Sequence, residues 1–241
     1  MKEEHFFYTP DIAVRPELSA EESQHAVKVL RLKAGSELTC TDGQGALYKC
    51  RLADASPRGC TLEVLERVEP EPLWDGSIEL AVAPTKHFDR MEWLLEKATE
   101  IGVDRITFLN CHNSERRVVK MERAERIVVA AMKQSQKARM PQLEGMVDFD
   151  AFVHRPFAGD RFIAHCFDEA SIPTPRIYLG DALRRGTPTQ VLIGPEGDFS
   201  IPEIETALKV GFQGITLGRS RLRTETAALV AVHLMYIANQ R

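Results

Sequence analysis

The residues best suited to chemistry lie in two short stretches near the C-terminus: Leu192-Ile193-Gly194-Pro195-Glu196-Gly197, and Leu217-Gly218 followed by Leu222-Arg223-Thr224-Glu225-Thr226-Ala227. Gly194 and Gly197 allow backbone to approach a ligand closely, Pro195 fixes a turn, and Gly218 permits close packing at the second loop. Main-chain amides and carbonyls there can read a purine edge. Arg223 is a candidate donor to developing negative charge, and Glu225 is the nearest motif carboxylate for a proton acceptor. Structural roles compete with these: Glu196 could cap a neighbouring turn, Thr224 could be the N-cap of the last helix, and Glu225 could complement the helix dipole. A Rossmann GxGxxG and a Walker loop ending in Lys-Ser/Thr are both missing from the chain, so dinucleotide and nucleoside-triphosphate binding fall away.

Each stretch follows a β-branched apolar run and leads into a helical pattern, the layout of loops at the carboxyl edge of a parallel sheet. Apolar strands over 78–83, 106–109, 162–164, 191–193 and 215–217 alternate with helical patterns, which predicts a parallel α/β sheet. The pair His165-Cys166 ends one of these strands and extends the same pocket. A helix is predicted over 88–101, where Met91, Leu94, Leu95, Ala98 and Ile101 recur at three and four, with its stop at Gly102. Ser200-Ile201-Pro202-Glu203 opens another with a capping box, and Gly211 ends it. The last helix, over 225–239, is apolar on nearly every face. A subunit interface is its readiest cover, so a homodimer is expected.

Ahead of residue 68 the period is different. Short strands over 37–41, 46–52 and 60–65, with a hairpin turn at Asp42-Gly43-Gln44-Gly45, predict a compact β-barrel. One helix precedes them over 20–30, with Ser19 and Glu22 in capping-box spacing. The proline-bearing stretch Glu69-Pro70-Glu71-Pro72-Leu73-Trp74-Asp75-Gly76 suits neither helix nor central strand, which places a domain boundary between 1–70 and 76–241.

Composition bounds the function. The chain has 241 residues, 44% hydrophobic and 27% charged, as in ordinary soluble globular proteins. No apolar run is long enough to cross a bilayer, and Met1-Lys2-Glu3-Glu4-His5-Phe6-Phe7 lacks a continuous h-region, so the cytoplasm is the default location. The five cysteines, at 40, 50, 60, 111 and 166, have neither CxxC spacing nor close histidine partners, which supports neither a metal site nor a disulfide framework. A net charge of −4 hides a local excess: from Glu115 to Arg139 eight basic side chains face three acidic ones. Lys28, Arg31 and Lys33 add a smaller basic cluster. Arg116, Arg117 and Lys120 join them as candidate RNA contacts, although a charge run is usually a solvated helix face.

Taken together the two C-terminal stretches resemble the signature of the bacterial 16S rRNA uracil-N3-methyltransferases, the RsmE family of the SPOUT class. Glu96-Lys97-Ala98-Thr99-Glu100-Ile101-Gly102-Val103, Ser114-Glu115-Arg116 with Lys133-Gln134-Ser135, and His25-Ala26-Val27-Lys28-Val29-Leu30-Arg31 extend the likeness over almost the whole chain. The resemblance implies an N-terminal PUA-like β-barrel and a C-terminal SPOUT α/β domain with a deep trefoil knot. It implies S-adenosylmethionine at Ile193, Gly194, Glu196, Gly197, Leu217, Gly218, Leu222, Arg223, Thr224, Thr226 and Ala227. It also implies 16S rRNA within the 30S subunit as the partner, and methylation of uracil N3 at the uridine conventionally numbered 1498. Arg223 and Arg31 are then the candidate contacts to uracil or phosphate. Another RNA target, a tRNA or a ribose 2′-hydroxyl, and a non-catalytic RNA-binding assembly protein are the alternatives. Three departures stand out: Asp198 where many relatives carry another glycine, Ser220-Arg221 in place of Arg-Val, and His5-Phe6-Phe7-Tyr8 without the arginine frequent at that end.

Overall fold

The computed structural model describes residues 5–240; Met1-Lys2-Glu3-Glu4, part of the stretch read for a leader, and Arg241 lie outside them. Among the described residues the chain forms two sheets and divides into two compact units. One runs to Glu71 and includes Val129–Met140; the other comprises Pro72–Val128 and Pro141–Arg241.

The first unit holds β1 (Phe6–Tyr8), α1 (Ala20–Gln24), β2 (Glu37–Thr41), β3 (Leu47–Asp54) and β4 (Thr61–Val68). The strands form a four-stranded sheet in the order β1-β2-β3-β4, with β1 parallel to β2 and the other pairs antiparallel. Alternate residues Tyr48, Cys50 and Leu52 of β3 are buried and join Phe7, Ile12, Leu38 and Leu62 in one core. The Asp42 carboxylate shapes the β2–β3 hairpin by accepting from the Gln44 amide at 2.7 Å, and Gly43 and Gly45 both take positive φ.

The helix predicted over 20–30 is present, with a change of pitch: it is α-helical to Gln24 and continues as a π-helix, His25–Val29, in which the Leu30 amide donates to the His25 carbonyl at 3.0 Å. Ser19 Oγ does accept from the Glu22 amide at 3.2 Å, but the Glu22 carboxylate is taken by Lys133 Nζ at 2.5 Å and does not return to the cap. The capping box is therefore half made. Behind the π-turn Arg31 sits at φ 55, a left-handed conformation uncommon for a side-chain-bearing residue.

The second unit continues the chain as β5 (Ile78–Val82), α2 (Phe88–Ile101), β6 (Arg105–Asn110), α3 (Met121–Gln134), β7 (Gln142–Asp148), α4 (Phe149–Val153), β8 (Asp160–Ala164), β9 (Ile177–Tyr178), α5 (Leu179–Ala182), β10 (Thr189–Ile193), α6 (Ile201–Lys209), β11 (Gln213–Thr216) and α7 (Thr224–Asn239). The second half of α3, from Val129, groups with the first unit. The sheet has seven strands in the order β7-β6-β5-β10-β8-β11-β9, every pair parallel. Every residue of central β10 is buried, as expected for a strand covered on both faces. The periodicity missed β7 and β9. Both are edge strands, β7 half-exposed along its length and β9 two residues long, so neither carries a buried apolar run.

Helix α2 forms over the residues predicted and stops at Gly102, whose φ is 141. A Cβ there would stand 2.7 Å from the Trp74 ring, and the Trp74 indole donates to Asp104 at 3.0 Å. Helix α7 finds more internal cover than its composition suggested. Ala228, Ala231, Val232 and Met235 are buried where it packs on α2, β5, β10 and α5, while Ile237 on its outer side is 50% exposed. No helix among the described residues is long and apolar enough to cross a membrane.

Substituting Gly102→Ala forces both a strained backbone and a displaced indole, so it should destabilise the fold by about 3 kcal/mol. Gly35 also has positive φ but nothing within 4 Å of a built Cβ, so Gly35→Ala should cost only about 1 kcal/mol. Urea midpoints of the two variants check the contrast; equal losses would show that the Trp74 contact is unimportant.

Candidate functional site

The register of the central strands brings four carboxyl ends together. Ile193 of β10 pairs with Val82 of β5 on one side and Ala164 of β8 on the other, and Ala164 pairs with Ile215 of β11. The loops leaving these strands surround a cleft of about 1170 Å³, roomy for a small-molecule site. Of the residues assigned to the cofactor by sequence, Ile193, Gly194, Glu196, Gly197, Leu217, Gly218, Leu222, Arg223, Thr224 and Ala227 line it; Thr226 does not. His165 and Cys166 line it as well.

The glycines serve different ends. A Cβ on Gly194 would meet the Phe199 amide nitrogen at 3.0 Å, and one on Gly197 would meet the Asn113 side chain at 3.3 Å, so both glycines sit where the loop packs tightly on its own neighbours. Gly218 was expected to permit close packing, yet nothing lies within 4 Å of its missing Cβ. Its φ of 110 explains the glycine, and the bare backbone leaves an open face in the cleft wall.

The acidic residues act largely as fasteners. Glu196 Oε1 accepts from the Lys86 amide at 2.9 Å, which ties the loop after β10 to the one after β5. Asp198, at φ 63, accepts from the Cys166 amide at 2.8 Å and from the Phe199 amide at 2.7 Å, joining the same loop to the end of β8. Glu203 completes the capping box of α6 and also accepts from the His112 amide at 2.8 Å. Thr224 is not an N-cap: Arg223 occupies that position (φ −74, ψ 158), without a side-chain capping bond, and Thr224 is the first helical residue of α7.

Two buried groups, His165 in the cleft wall and Glu225 next in sequence to the lining Thr224, have side-chain atoms without hydrogen-bond partners among the described residues. The ring nitrogens of His165 are both unpartnered; burial pushes its pKa below the usual imidazole value, Arg176 pushes the same way and Asp198 opposes. Glu225 Oε2 is likewise unpartnered, and its Oε1 lies 3.8 Å from Arg90 Nε. Glu225 does not line the cleft; Arg90, from the first turn of α2, does. Cys166, exposed in the cleft, has its pKa raised by burial and by Asp198, which favours the protonated thiol.

The structure separates the basic candidates. Lys28, Arg31 and Lys33 are exposed on the first unit, and Lys120 is exposed on the second. Arg116 is committed: its guanidinium donates to the carbonyls of Thr85 at 3.1 Å and Lys86 at 2.7 Å and lies over the Phe88 ring. Arg117 donates to Asn110 at 2.8 Å, Arg123 pairs with Glu92 and Lys133 with Glu22. Much of the basic run is therefore spent on the fold.

The model of an RNA methyltransferase domain matches residues 72–236, and that of an RNA methyltransferase PUA domain matches 18–65. The chain is 30% identical, over 96% of its length and 90% of the relative's, to the ribosomal RNA small subunit methyltransferase E of Mycobacterium bovis. The chain belongs to the ribosomal RNA small subunit methyltransferase E family. A crystal structure of a probable rRNA-methyltransferase from Porphyromonas gingivalis superposes with a TM-score of 0.91 at 42% identity, covering 97% of this chain and 98% of that one. The Neisseria gonorrhoeae member of the ribosomal RNA small subunit methyltransferase E family, bound to S-adenosyl methionine, superposes at 0.83 with 26% identity over 97% of each chain.

Against that family frame, sequence reasoning missed Arg90, Glu169, Arg176 and Arg219 in the cleft. Arg90 had a signal: it opens the helix that follows β5. What the sequence lacked was the adjacency of β5 and β10, set by a crossover and invisible to periodicity.

Asp198 gives a direct test of the loop fastening. Asn tolerates the left-handed conformation and keeps one acceptor, Gly keeps only the conformation, and Ala keeps neither. Melting temperatures should fall in the order wild type, Asp198→Asn, Asp198→Gly, Asp198→Ala, with the glycine variant losing about 2 kcal/mol. A glycine variant as stable as wild type would show that the two amide contacts contribute nothing.

Proposed function

We propose that the protein transfers the methyl group of S-adenosylmethionine to N3 of a uridine in 16S rRNA, the position conventionally numbered 1498, within the 30S subunit. It does so in the cytoplasm and as a homodimer, with 1–70 as the PUA-like RNA-binding domain and 76–241 as the SPOUT domain whose C-terminal path is knotted. The observation that carries this reading is the cleft itself. The motif loops after β10 and β11 converge on one cavity at the carboxyl ends of a parallel sheet, in a chain of this family.

The residues present fit such a cofactor. Gly218 offers open backbone, Ile193 and Leu217 offer apolar wall, and the start of α7 leaves first-turn amides uncapped by a side chain. When bound, S-adenosylmethionine supplies an electrophilic methyl on a sulfonium. The chain's own residues do the rest. Uracil N3 must lose a proton, and the charge that then spreads over O2 and O4 needs donors. Arg223, exposed at the cleft edge, is positioned on the chain to be one. Arg31, Lys28 and Lys33 of the N-terminal unit, with Lys120, are exposed cations for phosphate, and each such contact makes binding salt-dependent. Arg116 and Arg117 contribute by shaping the loop that carries them. The outer side of α7, with Ile237 exposed, supplies apolar surface for the second copy.

Tritium from labelled S-adenosylmethionine should enter 30S particles on incubation with the protein. Gly194→Trp, which drives a ring into the Phe199 backbone, should abolish both transfer and calorimetric binding of S-adenosylhomocysteine. Arg223→Ala should lower kcat by roughly 100-fold while binding persists. RNA binding without cofactor binding would identify an assembly protein instead, and transfer into tRNA or onto ribose, read by mass spectrometry of the modified fragment, would overturn the assigned target.

A further inference from the structure

Charge on an N3-deprotonated uracil requires a cation held in place before the reaction, because donors that must reorganise during it lose most of their effect. Several arginines face the cleft, and they differ in how they are held. Arg219, Arg221 and Arg223 stand on the exposed loop between β11 and α7. Arg176 is spent on the His165 carbonyl at 2.6 Å. Arg90 is different: it rises from the first turn of a fourteen-residue helix and has a buried carboxylate oxygen 3.8 Å from its Nε.

That carboxylate is Glu225. Its side chain is only 9% exposed, and Arg90 is the cation within ion-pair distance of it among the described residues. The second oxygen, Oε2, is shut off from solvent with no hydrogen-bond partner. Leaving a carboxylate oxygen buried and unpartnered is costly, so the arrangement calls for a compensating role. Glu225 does not line the cleft, whereas Arg90, within ion-pair distance of it, does. A proton acceptor must come within hydrogen-bond reach of the proton it takes. A carboxylate beside an arginine is better placed to fix that arginine's orientation.

We infer that Arg90 is a catalytic residue of the cleft, donating to the uracil oxygens as charge develops, and that Glu225 is the positioning residue that holds it. The inference rests on the uridine methylation proposed above. No bond to Glu225 forms or breaks, and the N3 proton leaves to water. The two walls of the cleft then divide the work: α2 presents a fixed guanidinium and the β11–α7 loop presents adaptable ones. The guanidinium of Arg90 can donate to one uracil oxygen from the side, which leaves N3 open to the methyl, and its planar donors fix the direction of that contact better than a lysine ammonium does.

The test is steady-state methyl transfer into 30S particles by Arg90→Ala, Arg90→Lys, Glu225→Gln and the Arg90→Ala/Glu225→Gln double variant, with S-adenosylhomocysteine affinity measured on each by calorimetry. Arg90→Ala should lower kcat roughly 100-fold with cofactor affinity within about threefold of wild type. Arg90→Lys should recover part of the loss. Glu225→Gln, close in shape to the native side chain, should lower kcat about tenfold alone and add nothing in the Arg90→Ala background, because its effect runs through Arg90. Loss of transfer on Glu225→Gln that multiplies with the Arg90→Ala loss would make Glu225 an independent proton acceptor and overturn the inference. So would an unchanged kcat in Arg90→Ala. If Glu225→Gln fails to fold, the split between kcat and cofactor affinity in Arg90→Lys still decides whether the arginine acts on the reaction. Wild-type protein that binds S-adenosylhomocysteine yet transfers nothing to 30S defeats the uridine reading itself, an outcome separate from a wild type that is active and an Arg90→Ala variant that matches it.

Discussion

The backbone ladder along β10 is the constraint on which the site depends. Ile193 sits at the end of a strand buried on both faces, and its pairing with Val82 and Ala164, continued by Ala164 with Ile215, fixes where four loops begin. Parallel register permits no one-residue slip without turning each side chain to the wrong face. The cleft is thus as rigid at its base as the sheet. Its rim has no such ladder, and different chemistry must hold it.

Carboxylates supply that chemistry. Glu196, Asp198 and Glu203 each accept a backbone amide from a neighbouring segment, at Lys86, Cys166 and His112. Asp104 does the same at the opposite end of the sheet, taking the Ile78 amide at 2.8 Å along with the Trp74 indole. Charge-assisted bonds of this kind are the strong ones, and they satisfy amides that a loop would otherwise leave to water. The departure from glycine at 198 belongs to this scheme. A left-handed backbone that glycine adopts freely is here held by an aspartate whose side chain gains two amides.

These fasteners explain which parts of the protein were legible in its sequence. Helix α2 was read over its full span because three-and-four periodicity, a stop glycine and burial all agree, and β10 over 191–193, its apolar end; Thr189 and Gln190, buried but polar, were not read as strand. Edge strands β7 and β9 carried no such pattern. The helix over 20–30 was legible as a helix but its widening to π geometry at His25 was not, and its cap stays half made because the Glu22 carboxylate finds Lys133, distant in sequence. The two motif loops were legible as a site, but what each residue does there was not. Gly194 and Gly197 pack tightly on Phe199 and Asn113, and Glu196 accepts from a backbone amide, none of which spacing reveals.

Separating structural from chemical acids narrows the chemistry the cleft can perform. Once Glu196, Asp198 and Glu203 are committed to amides, the motif retains one buried carboxylate without a full set of partners, Glu225, and it lies within ion-pair distance of Arg90. The neutral imidazole of His165, kept so by burial and by Arg176, is the remaining buried group at the wall. The rim, by contrast, is dense in guanidinium groups. The cleft therefore holds more groups that stabilise an anion than groups that take a proton, the latter being Glu169 and the His165 imidazole.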